Sequence, residues 1–347
     1  MGLNLIQHPL LVCGVHRSGT TLLRNLLDGH PALTTLPSEG SFLTNFASQL
    51  DKMPYEKRES FLAIRWIRRL ANPINQPPYW SLGTSSEESS PYVDFARGFS
   101  AWYRITEKSF PSEMTIRPHF AVILAYATCS KEPDAGLAAS YWVDKTPTLE
   151  KYHKKILREL PQARIIHMLR SPADVFLSRK RMEPSLNLKV CLQDMRLSYR
   201  IALEQSLRNK HRYLVVRYEA LCANPQSVVS EVTEFLNIEQ HSGLFIPTVA
   251  GKPAHVNSSF SAALPPGDIL KPRTSASPAD LSNQEDRLLS AFLFKSASGM
   301  GYPLKSMGKF QTARTRILFA FHHRIVSKFN VLKFRLAKSG NPSIAGP

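Results

Sequence analysis

Residues 11–21, LVCGVHRSGTT, leave the chain little freedom in how it can run. Leu11 to Gly14 complete an apolar run of the length of a buried strand. From Thr20 to Pro31, Leu22, Leu23, Leu26 and Leu27 fall at helical spacing until Gly29 and Pro31 stop the helix. Gly14 to Gly19 is therefore a strand-to-helix turn. Backbone N–H groups at a helix start, the hydroxyls of Ser18, Thr20 and Thr21 and the guanidinium of Arg17 make a donor set suited to a tetrahedral anion. An ordinary tight turn with a glycine at each bend is the plainer alternative. The spacing fits GxxxxGK[ST], but Thr20 stands where the lysine belongs.

Two more corners of the same kind follow. ARIIHMLR at 163–170 reads as a strand, and SPADVFLSRKRM continues it as a helix with Ser171 as N-cap and Pro172 at its first position. RYLVVRYEAL at 212–221 reads as a strand ahead of a helix that begins near Pro225. Strands repeatedly followed by helices predict an α/β three-layer sandwich with a central, mostly parallel sheet, like that of phosphate-loop nucleotide hydrolases. Its ligands would lie beyond the carboxyl ends of the strands. In YWVDKTPTLEKYHKKILREL a short apolar approach leads to Asp144, Lys145 and Thr146, with Pro147 in the first turn of a basic helix. Residues 8–305 read as one domain, with 41–135 a mainly helical insertion on the acceptor side and 306–347 a basic amphipathic extension.

Composition narrows the class. The 347 residues are 43% hydrophobic and 20% charged, enough to bury a sizeable core. Cysteines at 13, 129, 191 and 222 show neither disulfide nor zinc spacing. The amino-terminal residues lack the basic flank and apolar core of a secretory signal, and no run reaches the ~18 apolar residues of a membrane span. A cytoplasmic, at most membrane-associated, protein is the expectation. The net charge is +17, and no acidic residue follows Asp286. That one-signed end suits anionic lipid or another polyanion, and no nucleic-acid-binding signature accompanies it.

Triphosphate chemistry normally uses the loop lysine and an acidic strand end to organise Mg²⁺. Here the strand IIHML ends in Arg170, which points to a metal-free site whose anion is met by Arg and Lys alone. Arg170 and Ser178, two helical turns apart in the second corner, offer a second anion pocket; an Arg170–Asp174 pair with a merely exposed Ser178 is the alternative. GVHRSGTTLLRNLLDGHP, VDKTP, HMLRSPADVFLSRK, VVRYEAL, HVNSSF and GY, in this order over residues 10–303, resemble the sulfotransferases that use 3′-phosphoadenosine-5′-phosphosulfate (PAPS). The resemblance implies that Arg17, Ser18, Gly19, Thr20 and Thr21 hold the 5′-phosphosulfate. It implies that Arg170 and Ser178 grip the 3′-phosphate, that Tyr218 sits near the nucleotide, and that Lys271 and Arg273 lie in a late loop that closes over the phosphates.

Sulfuryl transfer to a hydroxyl needs an in-line nucleophile, a base for its proton, and positive charge at the bridging oxygen. Arg17 and Lys145 are the candidate charges. Family members use either a histidine or a glutamate as base; Glu39 in LPSEGSF stands where the glutamate type places it, and His255 is the alternative. The expected activity is transfer from PAPS to a hydroxyl of a carbohydrate, glycolipid or other metabolite, the acceptor being lipid-linked or polyanionic in one version. Two other readings stay open: a non-catalytic nucleotide fold that binds membrane or polyanion through its basic end, and a phosphate-loop kinase.

Overall fold

The computed structural model describes residues 2–71, 91–129, 133–183, 185–254 and 280–320. These residues belong to two compact units, one of residues 1–171 with 201–275 and the other of 172–200 with 276–347. The first contains a five-stranded, wholly parallel sheet of β1 (Pro9–Cys13), β2 (Leu33–Thr35), β3 (Tyr141–Lys145), β4 (Arg164–Leu169) and β5 (Tyr213–Arg217), in the order β2-β3-β1-β4-β5. β1 lies at the centre. β3 and then the edge strand β2 lie on one side of it and β4 and then β5 on the other, so the crevice beyond its carboxyl end is the natural ligand position of such a sheet.

Side chains alternate across each strand, and both faces of the sheet are covered. On one face, Leu10, Val12, Val143, Ile166, Met168 and Val216 pack with the leucines of helix α1 (Thr20–Leu27) and the valines of helix α8 (Pro225–Leu236). Asn224 caps α8 by accepting the Ser227 N–H, and Pro225 occupies its first turn. The other face carries Trp142, His167 and Tyr213. His119 of helix α4 (Arg117–Thr128) approaches Trp142 edge-on, and His153, which opens helix α5 (His153–Glu159), does the same to Tyr213. Among the described residues between 41 and 135 are the helices α2 (Tyr55–Ala71), α3 (Pro91–Ser109) and α4.

In the second unit, helix α6 (Pro172–Met182) follows β4, and helix α7 (Leu188–Arg208) begins there and ends in the first unit. Helix α9 (Asn283–Gly299) starts with a reciprocal capping box between Ser282 and Glu285. His30 is bonded to the Glu239 carbonyl and the Ala32 N–H. His167, wholly buried and 2.8 Å from the Tyr213 hydroxyl, is pushed down to about 3 by burial and by His153, so it is neutral at physiological pH.

The helices close on the centre of the sheet, so stability concentrates there. Ile166→Ala, at a fully buried site in β4, is expected to cost about 2–5 kcal/mol, measured from the denaturant midpoint. A loss below about 1 kcal/mol would place Ile166 outside the core.

Candidate active site

The turn after β1 is held from behind. Glu150, fully buried, accepts the Gly14 N–H at 3.1 Å, and the Gly14 carbonyl accepts the Thr148 N–H at 2.8 Å. Arg17 has φ +75°, a left-handed conformation uncommon for a residue with a side chain and frequent at ligand-binding turns. Gly19, at φ +94°, opens α1, and a Cβ there would lie 2.3 Å from the Tyr218 ring. Only glycine lets that ring seat against the turn.

Arg17, Gly19, Thr20 and Thr21 line a cleft of about 420 Å³ together with His16, Arg24, Arg69, Glu39 and Lys145. Ser18 is turned away: it is fully buried, and both its hydroxyl and its N–H donate to the Val15 carbonyl, bracing the turn. Arg170, just past β4, donates to the Arg17 carbonyl at 3.3 Å and stacks 4.6 Å from the centre of the Tyr218 ring. Burial pushes the Tyr218 phenol well above its ordinary range. Ser178 lies on α6, buried, in the second unit. Lys271, Arg273 and His255 fall outside the described residues.

Across the cleft, Glu39 and Lys145 form an ion pair of 2.7 Å. Burial alone would raise the Glu39 carboxyl, but the charge and hydrogen bond of Lys145, with His16 and Arg69, hold it below its ordinary value. The Lys145 ammonium is lowered, chiefly by burial, against the opposing pull of Glu39. Glu39 is thus a carboxylate at neutral pH, paired with Lys145. Beside the loop donors the pair gives the cleft a proton acceptor and a cation in contact with each other.

The segment that carries Glu39 has no regular secondary structure, and side chains fix its backbone. Arg24 donates to the carbonyls of Leu36 (3.2 Å) and Pro37, and Arg69 of α2 to those of Glu39 and Gly40. Arg69 is itself stacked over Phe46 and Trp66. Asp144 accepts the Gly40 N–H at 2.8 Å and the Thr146 hydroxyl at 3.1 Å, while Thr146 Oγ1 accepts the Ser41 N–H at 2.8 Å. In the sequence Asp144 is only the residue ahead of Lys145 at the end of a short apolar approach, and the strand beside the turn is the one that ends in Arg170. β1 has β3 on its other side, and β3 brings the carboxylate of Asp144 to its end, 4% exposed and aimed at the Gly40 loop.

Arg24, Arg69 and Glu150 were not singled out in the sequence. For Arg24 a signal existed, because it stands one helical turn after Thr20 and so faces the same way as the loop hydroxyls. Arg69 is one of several arginines in RWIRRL, and Glu150 is an ordinary helix-start carboxylate by pattern.

The model of the sulfotransferase family matches residues 9–242. Among solved structures, the sulfotransferase domain of the Synechococcus PCC 7002 olefin synthase is 19% identical, covering 90% of this chain and 95% of that one with a TM-score of 0.44. The sulfotransferase domain from the curacin biosynthetic pathway is 20% identical, covering 86% and 99%, with a TM-score of 0.49. No curated protein matches.

Gly40 carries a direct test of this loop. A Cβ there would fall 2.1 Å from Asp144 Oδ2, so Gly40→Ala is expected to cost about 1–3 kcal/mol by forcing the carboxylate and the loop apart. An unchanged midpoint in urea would contradict the close seating of the loop on Asp144.

Proposed function

The chain belongs to the sulfotransferase family, and on that premise we propose that the cleft moves a sulfuryl group from PAPS to a hydroxyl of a carbohydrate, glycolipid or other metabolite. One observation carries the reading: the 2.7 Å pair of Glu39 and Lys145 shares a cleft with Arg17, Thr20 and Thr21 at the end of β1. A donor set of hydroxyls and cations at a helix start fits a phosphosulfate, and the cleft is large enough to admit its reacting end.

PAPS supplies a sulfuryl group joined to phosphate through an anhydride oxygen. Glu39 accepts the proton of the acceptor hydroxyl as that oxygen bonds to sulfur, and Arg17 and Lys145 meet the negative charge that passes to the departing phosphate as the anhydride bond breaks. Thr20 and Thr21 hold the 5′-phosphate. Arg170 and Ser178 bind the 3′-phosphate, Lys271 and Arg273 close over the phosphates, and Tyr218 flanks the nucleotide. Gly19 leaves room for that ring. Ser18 acts through the shape of the turn, since its hydroxyl donates to Val15. The charge balance of the site is met without a metal ion. Among the described residues no helix is long and apolar enough to cross a membrane; a cytoplasmic enzyme that meets a lipid-linked acceptor at the membrane surface agrees with the basic carboxyl-terminal region.

Calorimetry tests the donor. Adenosine 3′,5′-bisphosphate should bind with or without Mg²⁺, and Arg170→Ala should weaken it about tenfold or more, the loss of a charge-assisted contact. Preference for ATP with Mg²⁺ would overturn the reading in favour of a kinase.

The pH profile tests the base. Glu39 is in its basic form above a pKa that lies below the ordinary carboxylate range, and that form is lost only as pH falls through it; Lys145 keeps its charge until pH rises through a pKa below the ordinary lysine value. With saturating donor, kcat/KM for the acceptor should fall on the acid side only below the ordinary carboxylate value of pH ~4.3, and on the alkaline side before pH ~10.4. An acid limb near pH ~6.5 would instead assign the base to a histidine.

A further inference from the structure

Residues 309–320 form a helix in the second unit, and one side of it is fastened to α9. Arg316 donates through Nε to the Ala291 carbonyl at 2.8 Å, its guanidinium lies 5.5 Å from the Phe292 ring, and Phe319 meets Phe292 edge-on at 5.7 Å. At helical spacing Phe310, Arg314 and Ile317 fall on the side away from Phe319, with Leu318 next to them. They are left open: Phe310 is 80% exposed, Ile317 66% and Leu318 55%. Large apolar side chains clustered in this way mark a surface that meets something apolar.

Beside this face is a cleft of about 440 Å³ whose lining includes Arg287, Ser290, Lys305, Arg314 and Leu318. Asp286, also in the lining, pairs with Lys305 at 2.7 Å, so the balance of charge in the cleft is set by Arg287 and Arg314. At the cleft wall, Ser290 is 2% exposed and its Oγ has no hydrogen-bond partner among the described residues. A buried hydroxyl without a partner is unfavourable, and an anion seated between the two arginines would supply its acceptor. No acidic residue after Asp286 opposes that anion.

We propose that this face docks on an anionic phospholipid bilayer, with a headgroup phosphate in the cleft between α9 and the 309–320 helix and Phe310, Ile317 and Leu318 in the acyl boundary. Cations alone would serve any polyanion. Exposed Ile317 and Leu318 gain nothing against a nucleic-acid backbone, and they gain burial in a bilayer interface, which decides for lipid. The proposal deepens the reading of a basic end at a membrane and is independent of sulfuryl transfer.

The test is flotation of the full chain with vesicles of phosphatidylcholine alone and of phosphatidylcholine with phosphatidylglycerol. The chain should float with the anionic vesicles only. R287A/R314A should lower the partition coefficient roughly 10- to 30-fold, at about fivefold for each basic residue, and F310S/I317S should also lower it at unchanged ionic strength. Binding of adenosine 3′,5′-bisphosphate by both variants would certify their folding, and either variant alone suffices where the other does not fold. Equal flotation with neutral vesicles, variants that float like wild type, or displacement of the chain from vesicles by single-stranded DNA would overturn the proposal. Docking as described in a chain that never binds the bisphosphate would overturn the sulfotransfer reading and leave this one standing.

Discussion

A single buried carboxylate, that of Asp144, ties the sheet to the loop that completes the cleft. It leaves the end of β3, accepts the Gly40 N–H and the Thr146 hydroxyl, and so places the neighbouring Glu39 opposite the turn that follows β1. The His119 ring stands 3.6 Å behind it from α4. Burying a charge in this way is costly unless hydrogen bonds compensate it, and the donors that do so here are loop groups, which are thereby fixed. Arg24 and Arg69 complete the restraint from the carbonyl side. An irregular segment gains through side chains the definition that a helix or strand would have given it.

The same strand brings a cation to a turn that lacks the lysine of the phosphate-loop pattern. Thr20 takes the lysine position, and the ammonium comes instead from Lys145, the last residue of β3 and 6% exposed at its side chain. Adjacent residues on a strand point to opposite faces, so Asp144 turns toward the Gly40 loop while Lys145 turns into the cleft. A DK pair at one strand end thus does two jobs, one of position and one of charge. Placing the lysine on a neighbouring strand also brings its nitrogen within 2.7 Å of a carboxylate, whose pull opposes the effect of burial on it.

The sequence made the central corner legible because its signals were local. The apolar run, two glycines five residues apart and a leucine stripe after them specified β1, the turn and α1 to within about two residues. Pro172 and Pro225 likewise marked the starts of α6 and α8. β2 went unseen because three residues, Leu33–Thr35, carry no period, and it exists through pairing with β3. The strand read over 212–221 ends at Arg217, since Tyr218 already opens a short helix whose Glu219 accepts the Ser171 N–H. The anchors of the Glu39 loop were illegible for a different reason. Asp144 and Gly40, or Arg69 and Glu39, meet across long stretches of chain, and only the strand order brings them together.

The central claim is that Glu39 and Lys145 act on a sulfuryl donor held by the turn after β1. Its most direct measurement is transfer of label from PAPS to a panel of hydroxyl acceptors by wild type and Glu39→Gln, with bisphosphate affinity determined for both. Transfer by the wild type is expected, with a fall of about 10²- to 10⁴-fold in kcat for the variant, as for loss of a general base, and equal affinity. Transfer by Glu39→Gln at the wild-type rate would contradict it.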